Sequence, residues 1–598
     1  MRILVFSLFS EIWEHSLPEN LITRALGKQV ALVDYLFCGG TLKGLCHCME
    51  ARKLKITSAD YQKESICNTC RNIAHSYSKP PISQSFFITQ YLSSRDEGSI
   101  DQIMQNMQPD DCINFTYQNI NVGRIAFYEM VLKFKKNTLI PESEEEFSYL
   151  LNQIRNCLYI IHAGLNFLKD KTYDQALIYS PQYAVNHTFS QILVNQNIET
   201  YFLEAGVNIS NRLDTMRIWK WNTFKLVNPL ISCWPEMKKL EIYPDEIKKV
   251  TRHFLDLLKA NSHMVFSPRF SSHKNLRELY QIPPHQKLLL ATMSSSDEVY
   301  SAYLAGLFPS SKACSDIFKD QIEWIKYLID FVNLREDVFL IIRVHPRDFP
   351  NKRDSSVSYQ GKKLLEIFGQ GGNKYQINWP DQNISLYEMF DEVNVLLTGW
   401  SVTALEAAIL GIPVVTYDQN LPSYPVDLML TGRSVEEYAN NISRALQKDW
   451  SFDQIVSAYH WLAVNHCILS LPISINFTQL INQSGNIIFR IIFKIFRFFK
   501  IDLRFKYYLF NIKQHDAVMD GISNVITKSL PSSAHSDYFS KRNTFNPDQF
   551  KKIVKNEFKS LTSIYFRNYN KHVSYETLNT KINRFFNEKE KNCISDRN

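Results

Sequence analysis

The sequence predicts an α/β protein: two doubly wound parallel-sheet domains facing one another across a cleft, plus a helical carboxyl-terminal extension. Three observations carry this. Near-continuous apolar runs such as Lys287–Thr292 (KLLLAT), Val338–Val344 and Val393–Leu397 have the pattern of strands covered on both faces. They alternate with helical segments, as βαβ units require. At 598 residues the chain exceeds what one hydrophobic core serves, so two large domains with additions are expected.

Residues 1–275 read as the first domain. Arg2–Ser7 is strand-like; the apolar run there is too short for a signal peptide and is broken by Glu11, so a cytoplasmic chain is expected. Val30–Val33 reads as the second strand, with Asp34 and a cysteine-rich loop after it. Residues 55–170 are polar and lean to helix. Ala176–Tyr179 is a strand, Ser180–Tyr183 a loop, Ala184–Gln196 a helix and Glu199–Leu203 the next strand. It ends at Glu204-Ala205-Gly206, an acid at a strand's carboxyl end before a turn glycine. Glu204 is therefore a candidate cleft acid, the alternative being a solvated loop residue. Asp34 is a candidate by position only. A helical stretch near Pro244–Ala260 follows.

Residues 276–450 read as the second domain, entered through Pro283-Pro284, a pair that interrupts regular structure. Lys287–Thr292 leads into Met293–Glu298. Gln321–Val332 is an amphipathic helix and Val338–Val344 a buried strand. Val393–Leu397, loop Thr398–Ser401, helix Val402–Leu410 and strand Pro413–Tyr417 complete a βαβ unit. Gly399 is expected to take turn dihedrals that other residues resist. Ser401 suits an N-cap and Gly411 a left-handed helix stop. Thr403 and Glu406, three apart, share a helix face. Ser434–Glu437 forms a capping box for a helix to about Leu446.

Residues 451–485 read as connecting helices. Residues 486–513 hold seven Lys or Arg against one acid, with Arg490, Lys494, Arg497 and Arg504 on one face of an apolar, aromatic helix. That pattern suits an anionic membrane surface, hence peripheral attachment at the inner face of the cell membrane; the alternative is a helix docked on the protein body. Residues 514–598 read as a polar tail, helical near Asp548–Tyr565. A net charge of +7 is modest for this length, and no nucleic-acid partner is expected. Of eleven cysteines, five lie between Cys38 and Cys70. Zinc on Cys46, Cys48, Cys67 and Cys70 is sterically possible, but the spacing is not that of a zinc ribbon and buried packing is expected first. No metal or cofactor is expected.

The chemistry is expected where strands of the second domain end. Ser294, Ser295 and Ser296 follow one strand, His345, Pro346 and Arg347 another, and Thr398, Gly399, Ser401, Thr403 and Glu406 a third. Hydroxyls, a histidine, arginine and a helix start can hold a diphosphate or phosphodiester without a metal. Pro346 fixes the turn that aims His345, which can hydrogen-bond or protonate a leaving phosphate.

RVHPRD, followed about fifty residues later by LLTGWSVTALEAAILGIPVVTYD, resembles the carboxyl-terminal half of capsule polysaccharide biosynthesis glycosyltransferases of the GT-B fold. The pairing is similar to that of bacterial Kdo transferases and sialyltransferases, and of CDP-glycerol glycerophosphotransferases. The segment ending in CNTCR resembles the same capsule family. The resemblance implies a metal-independent glycosyltransferase of the Leloir type. A nucleotide-sugar donor, CMP- or UDP-linked, would bind the second domain, and a glycan or lipid-linked surface acceptor the first. His345 and Pro346 would lie at the nucleotide phosphate, with Ser401 and Thr403 on phosphate and Glu406 on ribose or base. The Asp/Glu-Asp/Glu-Gly motif of the sialyltransferases is missing, which argues against CMP-sialic acid. Alternatives are a CDP-glycerol-type polyol-phosphate transferase and a non-catalytic, membrane-associated assembly factor.

Overall fold

Two sheets organise the chain in the computed structural model. It describes residues 2–29, 32–78, 84–206, 215–220, 229–258, 266–268, 276–306, 315–351, 356–369, 371–420, 422–448, 450–472 and 542–568. The first sheet takes β1 (Arg2–Ser7), β2 (Leu32–Phe37), β3 (Gln84–Phe87), β4 (Gln175–Tyr179), β5 (Glu199–Ala205) and β6 (Thr215–Lys220). The second takes β7 (Lys287–Thr292), β8 (Val338–Arg343), β9 (Tyr375–Asn378), β10 (Val395–Thr398), β11 (Val414–Thr416) and β12 (Leu430–Thr431). β13 (Leu471–Pro472) returns to the first sheet and pairs with β6.

The strand orders are β13-β6-β5-β4-β1-β2-β3 and β12-β11-β10-β7-β8-β9. All pairs in the second sheet are parallel. Its strands are apolar runs because both faces are covered: one packs on the Gln321–Asn333 helix, the other on a core that includes Ile455, Trp461 and Leu405. The two-domain α/β class is therefore the one expected. The first sheet departs from the pure form at one edge, where β6 and β13 run antiparallel. Edge strand β3 sits in a stretch that reads as helical, because its residues are only half-buried and carry little pattern.

Other expectations change in detail. The second strand begins at Leu32, and Asp34 lies inside it. There it is fully buried and accepts hydrogen bonds from Arg2 Nε at 2.9 Å and the Tyr173 hydroxyl at 3.0 Å. It braces the amino end of the sheet and is no cleft acid. Gly399 is not among the left-handed glycines. What excludes a side chain there is the Tyr417 ring, 2.8 Å from where a Cβ would sit. Gly411 does have the left-handed φ of +81°.

The Pro547–Asn568 helix lies in the tail that reads as polar. It nonetheless buries Phe550, Val554, Phe558 and Leu561 in one core with residues of the Pro244–Leu258 and Phe452–Ala463 helices. An ion pair from Arg542 to Glu246 at 2.7 Å pins its approach. The basic segment 486–513, with Arg490, Lys494, Arg497 and Arg504, lies outside the described residues. Among the described residues no helix is long and apolar enough to cross a membrane.

The two domains meet along the Val122–Phe134 helix of the first and the Ser296–Leu304 helix of the second. Arg124 Nε donates to the Leu304 carbonyl at 3.0 Å, and Lys135 Nζ to the Ser356 carbonyl at 3.1 Å. The Tyr359 N–H donates to the Lys135 carbonyl at 3.2 Å. Arg347 Nη2 reaches the Leu132 carbonyl at 3.3 Å.

Candidate active site

In a doubly wound sheet the ligand crevice lies at the carboxyl ends of the two strands where the winding reverses. In the second sheet those strands are β7 and β10, neighbours in register with Thr292 opposite Thr398. The hydroxyl-bearing residues the sequence singles out gather here. Thr398 Oγ1 donates to the Thr292 carbonyl at 3.1 Å, and the Thr292 and Thr403 hydroxyls are 2.9 Å apart. The Ser401 N–H donates to Thr398 Oγ1 at 3.4 Å, and the Thr403 N–H to Ser401 Oγ at 3.3 Å. The helix starts at Thr403 with Val402 as its cap residue, so Ser401 supports the turn from one residue further out than expected. Seven residues make a weak dipole; the loop's hydroxyls and backbone matter more.

Glu406 is buried beneath this loop. Burial raises its carboxyl to about 7, against the opposing pull of a Tyr387 hydrogen bond and the Arg343 charge. Arg343 is itself buried, holding Asn378 Oδ1 at 2.7 Å and the Ile384 carbonyl at 3.0 Å. A folded-state value above the unfolded one means Glu406 favours folding while it stays protonated. That advantage is complete below about pH 4.5 and is lost as pH rises through about 7. Glu406→Gln should therefore match the parent in denaturant unfolding at pH 4 and exceed it by about 3 kcal/mol at pH 8. Equal stability at both pH values would refute the buried, proton-holding carboxyl.

β8 lies beside β7 and delivers His345. The Arg347 N–H donates to His345 Nδ1 at 3.3 Å, which leaves the ring proton on Nε2 as a donor. The Phe266 ring meets the imidazole edge-on at 5.6 Å. Pro346 opens a single helical turn to Asp348. Asp348 is buried and accepts from Ser358 Oγ at 2.6 Å and Gln360 Nε2 at 3.0 Å; burial lifts its carboxyl to about 7. Gln360 and Gln321 both donate to the Ser294 carbonyl, at 3.1 and 2.7 Å. These amides tie the loops after β7 and β8 together.

Four sequence-predicted residues are placed less openly than expected. Arg347 is engaged by Asp297, with Nη2 to Oδ2 at 2.7 Å. Ser295 donates to the other Asp297 oxygen. Ser294 is buried, its Oγ without a hydrogen-bond partner among the described residues. Ser296 begins the Ser296–Leu304 helix and is half-buried.

The first sheet reverses its winding between β1 and β4, and its crevice holds residues the sequence reading missed. His15, on the helix after β1, stacks on Tyr179 at 4.3 Å, with Tyr183 Oη 3.2 Å from Nε2. His47 lies between Glu129 Oε1 and Glu50 Oε2, each at 3.2 Å. Burial opposes its charge, but the two carboxylates prevail and raise it to about 10, so His47 is a fixed imidazolium. Glu129 Oε1 also accepts the Ala184 N–H at 2.8 Å. Glu19, buried below and hydrogen-bonded by Ser7, is lifted by burial to about 8. The signal for His15 was its place just after a strand that opens a doubly wound sheet.

Glu204 does not join this cluster. It sits on β5, with β4 between it and β1, and pairs across the strands with Arg217. Burial draws that guanidinium down to about 10 while Glu204 supports its charge. Its partnership with Arg217 assigns Glu204 to the antiparallel edge rather than to the crevice.

The crevices are linked through neighbouring residues of one helix. Glu129 faces His47 and Ala184. Tyr128 donates to Gln182 Oε1 at 3.1 Å and feels the charges of Glu298 and Arg347 in the second domain.

No family model matches the chain, and no curated protein does. Among solved structures it is similar to the KpsC beta-Kdo 2,4 transferase of Thermosulfurimonas dismutans at 11% identity and a TM-score of 0.28, over 45% of this chain and 79% of that one. It is similar to the UDP-GlcNAc 2-epimerase of Methanocaldococcus jannaschii at 11% identity and a TM-score of 0.27, over 75% and 95%. The glycosyltransferase SnogD of Streptomyces nogalater matches at 9% identity and a TM-score of 0.24, over 81% and 99%. Scores this low carry no argument about activity or substrate; what stands on the chain's own topology is a pair of doubly wound domains, each with a polar crevice at its switch point.

Proposed function

We propose that this chain is a glycosyltransferase that moves a sugar from a nucleotide-sugar, held by the second domain, to a glycan or lipid-linked acceptor held by the first. The observation that supports it best is the placement of two different chemistries at two switch points joined by one helix. The β7–β8–β10 crevice is lined by neutral polar groups: threonine and serine hydroxyls and the His345 imidazole, whose Nδ1 accepts from the Arg347 N–H. That set suits the phosphates of a leaving nucleotide, whose growing negative charge it would stabilise in the transition state. The β1–β4 crevice offers a histidine backed by tyrosines, the kind of group that takes a proton from an attacking hydroxyl. In this reading His15 is the acceptor base, and His47, already charged, orients the acceptor.

The test pairs binding with turnover. Thermal-shift titrations with CMP, CDP, UDP and GDP should show stabilisation by one nucleotide above the others, and the matching nucleotide-sugar should be consumed. His15→Ala should keep that nucleotide's affinity while slowing transfer on the order of 100-fold or more. Failure of every nucleotide to bind would sink the proposal. Release of CMP from CDP-glycerol instead of sugar transfer would replace it with polyol-phosphate transfer.

A further inference from the structure

Five cysteines that spacing alone assigns to packing converge in space. Cys38 follows β2, Cys46 and Cys48 bracket the start of the His47–Ala51 helix, and Cys67 and Cys70 come from the Asp60–Tyr77 helix. All five line one cavity, together with Leu8 and Ser10 from the loop after β1. Cys70 Sγ lies 3.9 Å from the Leu8 carbonyl, which ties the thiol cluster to the loop after β1. None of the five is in a disulfide. A cysteine used as a small hydrophobe needs apolar neighbours, not other thiols; three separate segments directing sulfur into one space call for a different account.

We propose that the cluster of Cys38, Cys46, Cys48, Cys67 and Cys70 supplies the four thiolate ligands of a thiophilic metal centre, zinc or an iron–sulfur cluster, set behind the first domain's crevice. Thiolates are the soft ligands that select these metals, and Cys67-x-x-Cys70 is a spacing from which one helix can offer two. The cavity has room for a water-sized occupant. Among the described residues no three His, Cys, Asp or Glu are already drawn in to single-ion spacing. Zinc would therefore require the thiols to rotate inward on binding, whereas a multi-iron cluster accepts sulfurs standing farther apart. Each ligating thiol gives up its proton as its sulfur–metal bond forms. The centre would brace two things at once: the Leu8–Glu11 loop after β1, and the helix turn that carries His47 between Cys46 and Cys48. Its role is to hold the crevice in shape, and it stands whether or not sugar transfer is the reaction.

The experiment uses the full chain, expressed with added zinc and iron, purified without oxygen or a metal-affinity tag, and dialysed against EDTA. Elemental analysis should find about one zinc per chain, or several irons with acid-labile sulfide and a broad visible absorption. Iodoacetamide should label the five cysteines only after the metal is stripped. Cys46→Ser with Cys70→Ser should lower metal content at least about fivefold, while Cys157→Ser, buried elsewhere in the domain, should leave it unchanged. Less than about 0.1 metal per chain in the parent overturns the proposal, as do disulfides among the five found by mass spectrometry. Unchanged content in the double variant does so as well. The parent's metal count and labelling decide the matter even if the double variant does not fold.

Discussion

Arg347→Ala should destabilise the protein by about 3–5 kcal/mol, because it strands the buried Asp297 carboxylate without its cation. Asp297 is only 1% exposed, and its remaining support is the Ser295 hydroxyl. The same change removes the bond to the Leu132 carbonyl, so the domain seam loosens as well. Chemical denaturation at neutral pH measures the loss. The double variant Arg347→Ala with Asp297→Asn should recover much of it, since no charge is then buried alone. A single variant within about 1 kcal/mol of the parent would show that the ion pair is solvent-screened and that Asp297 does not depend on it.

His345→Ala should lower turnover by on the order of 100-fold or more while leaving the unfolding transition nearly unchanged. The ring is half-buried at a strand end, and its Nδ1 accepts the Arg347 N–H two residues on, a bond local to one turn. In the proposed reaction its value lies in the Nε2 proton. His345→Gln distinguishes two roles: an amide can still donate a hydrogen bond but cannot give up a proton. Partial activity in Gln assigns charge stabilisation, and activity as low as in Ala assigns proton transfer. Near-normal turnover in the Ala variant would remove His345 from the chemistry.

Much of the second domain was legible because its physics is local. Strands such as KLLLAT and VFLIIR are apolar end to end, being covered on both faces, and the hydroxyl-rich loop follows β10 within a few residues. The first domain's crevice was not legible, since His15, His47, Glu129 and Tyr183 come from four distant segments and only the winding of β1 and β4 brings them together. The antiparallel edge was hidden for a related reason: β13 reaches β6 from across the whole second domain. Gly399 shows a subtler limit. The sequence marks the position as needing glycine, but the cause is the Tyr417 ring, a neighbour one strand away that local pattern cannot supply. Glu204 had the right place at a strand end, but the cross-strand arginine that claims it lies on β6, which no periodicity announced.

The seam between the domains has a consequence for how the protein can vary. Arg124, Lys135 and Arg347 each donate to a main-chain carbonyl of the other domain, at Leu304, Ser356 and Leu132, and the Tyr359 N–H donates to the Lys135 carbonyl. A carbonyl is present whatever side chain the residue bears. Leu304, Ser356 and Leu132 can therefore drift to other residues without cutting these bonds, whereas each donor is held to a long cationic side chain. Such one-sided contacts leave no trace of paired substitution, so the two halves can diverge at different rates and still close on one another in the same way.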